Sequence, residues 1–358
     1  LRYTPDSFVN GSAKIKTIFD KADFLVVLQV TMQITMARRF FSPPFYTLTG
    51  FLLLSVACCF CSPPASTEIT FPEPSAQAVR PVVQLPDMPT GLSFAGEPVP
   101  LDAFDVRESL LKELIVNMNF HSNTLQWLLR SGRFFPVIEP ILKEQGVPDD
   151  FKYLCLIESN LENVVSPAGA AGFWQFMKTT GTQYGLEITS EVDERYHLEK
   201  STRAACDYLK KMKAELGSWT FAAASFNAGK AGINNQLGRQ GTFSYYDLLL
   251  NEETARYVFR ILSAKIILTD PERYGFHVPE TMRLKPIPYS TVEVAGKVSG
   301  FATFARDHGT NYKLLKMLNP WLRDTFLTNK TGKVYQIRIP EKGFRPVPLS
   351  QQQEPRQP

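Results

Sequence analysis

A large excess of charge of one sign is missing from this 358-residue chain: Lys+Arg 39 stand against Asp+Glu 35, a net charge of +4. A balance this close argues against a nucleic-acid partner. Histidine is scarce, with only His121, His197, His277 and His308, and these show no metal-ligand spacing. No Gly-rich phosphate loop and no Gly-x-Ser-x-Gly turn is present. No cofactor and no metal are therefore expected. Cysteine is also sparse at five, and three of these, Cys58, Cys59 and Cys61, crowd one segment. Cys155 and Cys206 lie in helical patterns and read as buried free thiols; an oxidising compartment would leave them able to pair.

Long apolar runs are missing too, apart from "FYTLTGFLLLSVACCF" at 45–60. That run is short for a bilayer span and follows the basic "ARR" at 37–39, the layout of an export signal over 36–61. Residues 1–35 do not belong in front of such a signal, and the chain begins with Leu1. The expected start is Met36 or Met32, with the upstream part a translation-start artefact. "SVAC" at 55–58 is similar to a lipoprotein cleavage box with Ser55 where Leu is usual, so Cys58 is a candidate for lipidation. Residues 62–101 are rich in Pro and Ser without a sustained period, and read as a tether.

What is abundant is helical periodicity. From Asp102 to about 275, apolar residues recur at three- and four-residue spacing, as at Val106, Leu110, Leu111, Leu114 and Ile115. Pro136 and Pro140 are expected to break or restart turns. Further helices are expected at 198–216, 219–228 and 252–268. Residues 290–341 read as strand, helix, helix, strand, a small βααβ domain, and 342–358 as a disordered tail. The expected fold class is mainly α, with a helical domain over 102–275 and this small α/β appendage.

One carboxylate stands out. "KYLCLI" at 152–157 ends on Glu158. Glutamate held against apolar walls keeps its proton near neutral pH, so Glu158 is either a solvated helix end or a general acid. A loop of small residues follows at 166–172, and then Phe173-Trp174-Gln175-Phe176-Met177. These residues fit either a core stripe or a groove with aromatic faces and an amide. Asp193 and Glu194 precede a helix; capping and pairing with Arg195 explain them better than catalysis.

"IESNLENVVSPAGAAGFWQFM" at 157–177, "AAASFNAG" at 222–229 and "EETARYVFRIL" at 252–262 together resemble the lysozyme-like lytic transglycosylases, most closely the membrane-bound murein type D. The C-terminal piece resembles a LysM module. The resemblance implies that Glu158 is the catalytic acid. It also implies that Ser166, Gln175, Met177, Phe226, Asn227, Glu253 and Tyr257 line or organise the substrate groove. Phe226 stands where this family usually has Tyr. The implied activity is cleavage of the MurNAc-GlcNAc bond of peptidoglycan, leaving 1,6-anhydro ends. The implied partners are glycan strands, with no nucleic acid. The implied location is the periplasm or cell envelope, with membrane anchoring through signal or lipid. A lysozyme-type hydrolase and a non-catalytic peptidoglycan-binding protein are the alternatives.

Overall fold

The computed structural model describes residues 84–345. The export signal, Cys58, the start of the tether and the tail beyond 345 lie outside the described residues.

The tether ends earlier than its composition suggests. Strands β1 (Ser93–Phe94) and β2 (Glu97–Pro98) form a small hairpin. Phe94 is fully buried and meets the Phe151 ring edge-on at 5.3 Å. Phe94, buried Val99 and the bond from Ala95 N to Asp150 Oδ2 at 2.7 Å together anchor this end of the Pro-rich segment.

Helix α1 (Phe104–Asn119) and helix α2 (His121–Glu144) follow. Pro136 and Pro140 both lie inside α2, which continues through them, contrary to expectation. Each proline removes one backbone bond and costs about 3 kcal/mol in an isolated helix. Here Trp127, Leu128, Phe135, Ile138, Ile141 and Leu142 are buried along one stripe, and their packing offsets that loss.

Helix α3 (Phe151–Ser159) is buried on nearly every side. It stops because Asn160 and Leu161 take left-handed backbone angles. Asn tolerates that region better than most residues. Trp127 Nε1 donates to Asn160 Oδ1 at 2.7 Å and Arg130 donates to its carbonyl at 3.0 Å, so the stop is held in place.

Short α4 (Lys178–Gln183) leads to α5 (Leu198–Leu216) and α6 (Trp219–Gln240). The α6 N-terminus is capped by Ser218 Oγ and also by the Glu97 carboxylate from the hairpin, which accepts from Trp219 N at 2.6 Å and Thr220 N at 2.9 Å. At Gly229, φ +73 and ψ 154, α6 is broken into two helical pieces, close to the expected end at 228. Helix α7 (Glu252–Thr269) closes the domain and packs on α1, α3 and α6.

The C-terminal part has the expected βααβ order: β3 (Tyr289–Val294), α8 (Phe301–Asp307), α9 (Tyr312–Leu318) and β4 (Tyr335–Pro340). The strands pair antiparallel from Tyr289 opposite Pro340 to Val294 opposite Tyr335. Tyr335, Ile337 and Ile339 point into its core. That core also takes in Ala171, Val192 and Tyr196 from the helical domain.

Candidate active site

Glu158 sits on the last turn of α3, one residue before the helix ends. Its neighbours Leu154 to Ile157 are buried, while its own side chain is half-buried and borders a cleft of about 740 Å³. Burial pushes its carboxyl up to about 7 from the ordinary 4.5, and the negative charge of Glu253 acts in the same direction. The Tyr257 hydroxyl donates to Glu158 Oε1, and the guanidinium of Arg260 lies close enough to act on it; both hold the shift back. The result is a carboxylic acid poised near neutral pH, a reservoir for one proton. Tyr257 itself is buried, and its phenol is pushed well above its usual range by burial and by the adjacent carboxyl. It therefore stays a donor.

Asn227 and Glu253 meet directly. Asn227 Nδ2 donates to Glu253 Oε1 at 3.0 Å, and Thr254 Oγ1 donates to Asn227 Oδ1 at 2.9 Å. Asn251, not Glu253, caps α7, by accepting from Thr254 N at 3.0 Å. Both ends of the Asn227 amide are thus engaged, tying the break in α6 to the first turn of α7, the helix that presents Tyr257. Glu253 is exposed and borders the cleft.

The remaining predicted residues do not border this cleft. Ser166 Oγ accepts from Ala170 N at 3.1 Å, closing its own loop. Gln175 has left-handed backbone, φ +46, and its amide donates to the carbonyls of Val164 at 3.1 Å and Gly172 at 2.7 Å. Phe226 packs against Trp174, Phe176 and Tyr208, with ring centroids 5.2 to 6.1 Å apart. Trp174 is core, its Nε1 donating to Thr202 Oγ1 at 2.9 Å. Met177 is exposed just before α4. Asp193 and Glu194 are paired away from the cleft, with Arg195 and with Lys200 and Lys333 respectively.

Sequence reasoning missed several cleft residues. Val116 and Phe120 stand exposed at its rim. Buried Glu113 accepts from Arg256 Nε at 2.6 Å, and both border the cleft. The signal was present: Glu113 falls on the same helical stripe as Leu110, Leu114 and Asn117, where a charge needs a partner. The cleft thus combines one carboxyl raised to about 7, four further glutamates, two guanidinium groups and an exposed aromatic face. Such a surface suits a polyhydroxylated, amide-bearing chain.

Residues 135–249 match the transglycosylase SLT domain, and residues 290–343 match the soluble lytic transglycosylase C-terminal LysM-like domain. Over 247 residues the chain is 28% identical to proteins named membrane-bound lytic murein transglycosylase D, from Escherichia coli (strain K12) and from Escherichia coli O6:H1. That stretch covers 66% of this chain and 52% of each relative, so the chain spans about half the length of the curated relatives it matches. A stretch similar to the SLT transglycosylase domain is thus followed by one similar to a C-terminal LysM-like domain.

Proposed function

We propose that the protein is a peptidoglycan lytic transglycosylase with Glu158 as its acid. The observation that carries this reading is the Glu158 carboxyl, raised to about 7 at the floor of an open cleft and held by Tyr257. The SLT match and the names of the relatives supply the substrate class, murein.

Most glycosidases use two carboxylates, one of them a nucleophile or base. Substrate groups replace the second one in this reading. Glu158 gives its proton to the glycosidic oxygen between MurNAc and GlcNAc, and the C1–O bond breaks. The 2-acetamido oxygen stabilises the cation developing at C1. Glu158, now ionised, takes the proton of the muramic C6 hydroxyl, and that oxygen closes onto C1. The products are a 1,6-anhydro sugar and a free GlcNAc hydroxyl. The proton returns to Glu158 and no water is consumed. Asn227, through Glu253 and Thr254, fixes the α6–α7 junction. Ser166 and Gln175 brace their own loop, Phe226 packs behind it on Trp174 and Phe176, and the exposed Met177 is free to meet substrate. The murein-degrading relatives are membrane-bound by name, which supports a cell-envelope location.

Mass spectrometry of sugars released from purified peptidoglycan tests this. The expected products are lighter by one water than their hydrated counterparts and vanish with Glu158→Gln. Hydrated, reducing products would make the protein a lysozyme-type hydrolase. No products from either form, with glycan still bound, would make it a binding protein.

A further inference from the structure

A LysM-like module joined by a flexible tether would act only by raising the local glycan concentration. The contacts here are of another kind. Segment 187–196 of the helical domain runs between the module and the wall of the cleft, and it is bonded to both.

On the module side the bonds are partly backbone. Asp193 N donates to the Trp321 carbonyl at 2.8 Å, and Arg323 N donates to the Glu191 carbonyl at 2.7 Å. The Glu191 carboxylate accepts from Thr328 N at 2.6 Å and from Thr328 Oγ1 at 2.8 Å. Glu187 accepts from Lys333 Nζ at 2.5 Å and from the Tyr335 hydroxyl at 2.9 Å. Arg323 lies over the Tyr196 ring, 4.0 Å from its centroid. Val192 and Tyr196 are buried in the module's own core.

Toward the 164–176 loop the same segment presents Arg195. Its guanidinium is fixed by Asp193, with Nη2 2.7 Å from Oδ2. It then donates to the carbonyls of Gly169 at 3.1 Å and Phe176 at 3.0 Å. The Arg195 carbonyl lies so close to Gly172 that a Cβ there would sit 1.9 Å from it. Gly172, with φ +81, is therefore required on both counts. The 164–176 loop ends against α3, where Ser159 Oγ donates to the Phe173 carbonyl at 2.8 Å. Ser159 is the residue after Glu158, and Val164 at the start of the loop borders the cleft.

We infer that docking of the LysM-like module fixes the loop beside the catalytic acid, with Arg195 as the positioning residue that carries the coupling. The module is then part of how the active site is built, in addition to any glycan it holds. The catalytic half of this inference rests on Glu158 acting as proposed; the structural half does not. Loss of docking leaves Arg195 without a fixed backbone. Lysine in its place keeps the charge but cannot reach Asp193 and two carbonyls together.

The test uses the full chain carrying Arg323→Ala, Thr328→Val and Lys333→Ala, all on the module side, and separately Arg195→Lys. Amide hydrogen exchange reads the loop directly. The Ser166, Ala171 and Gly172 amides, bonded within the loop, should exchange about tenfold faster in both proteins, with α1 and α7 amides unchanged. On a soluble glycan too short to reach the module, kcat should fall severalfold while KM holds. Unchanged loop exchange would overturn the coupling whether or not the chain cleaves glycan. Faster exchange with wild-type kcat would overturn the positioning role. If wild type cleaves nothing, the proposed activity fails alone and the exchange result still decides the coupling.

Discussion

Glutamates occupy two regions of this molecule under opposite conditions. At the cleft, Glu158 has one strong donor, Tyr257, and apolar walls, and its carboxyl is pushed up to about 7. At the joint with the C-terminal module, Glu199 is also desolvated, but Arg338 donates to it and His197 Nδ1 lies 3.2 Å away. Burial would raise its carboxyl, but the hydrogen bond with the His197 ring and the Arg338 guanidinium outweigh it and pull it down to about 2. Glu194, between Lys200 and Lys333, is lowered as well. Burial alone does not make a carboxylate reactive. What matters is whether the fold supplies compensating positive charge. The joint supplies enough to overcome burial, whereas at the cleft Tyr257 and the Arg260 guanidinium only partly offset it, so Glu158 keeps a raised pKa.

Removing each carboxyl in turn breaks the comparison most sharply. Glu158→Gln should lower the cleavage rate by about 10³-fold or more, as loss of a general acid does, measured as release of soluble sugars. Glu199→Gln should instead leave Arg338 without its partner and cost about 2 kcal/mol of stability, read from denaturant unfolding at pH 7. The two Glu→Gln changes should also differ in sign. The Glu158 pKa is raised on folding, so ionising it disfavours the native state as pH climbs from 4.5 through 7. Glu158→Gln should therefore stabilise the protein above neutral pH, by about 1–2 kcal/mol at pH 8. The Glu199 pKa is depressed, so its contribution is complete above 4.5 and is lost as pH falls through about 2. Glu199→Gln should thus matter least in strong acid. The smallest effect is expected from Tyr257→Phe. Its hydroxyl favours ionised Glu158, so its loss should move the alkaline limb of the pH–rate profile to higher pH.

Much of this contrast was legible in the sequence, for a local reason. Glu158 announced itself because it closes an apolar run on one short helix. The expected helices at 198–216, 219–228 and 252–268 follow a period that holds within each segment. The parts that were not legible depend on contacts between distant segments. Glu113 finds Arg256 across 143 positions, and Glu191 finds Thr328 across 137. Pro136 and Pro140 look like breaks locally and are overridden by tertiary packing along the helix. Phe94 sits in a Pro-rich stretch whose composition hides one anchoring ring. Ser166, Gln175 and Phe226 stood out by type and order, but where their side chains point was not legible. Their polar or aromatic groups face the loop and core instead of opening into the cleft.

The central claim is that the Glu158 carboxyl holds its proton up to about neutral pH, titrating near 7. Carboxyl-carbon NMR titration of uniformly 13C-labelled protein, wild type against Glu158→Gln, tests it without any substrate. The account predicts one glutamate carboxyl titrating near 7 that is absent from the variant. A missing resonance that instead titrates at or below the ordinary glutamate range would contradict it.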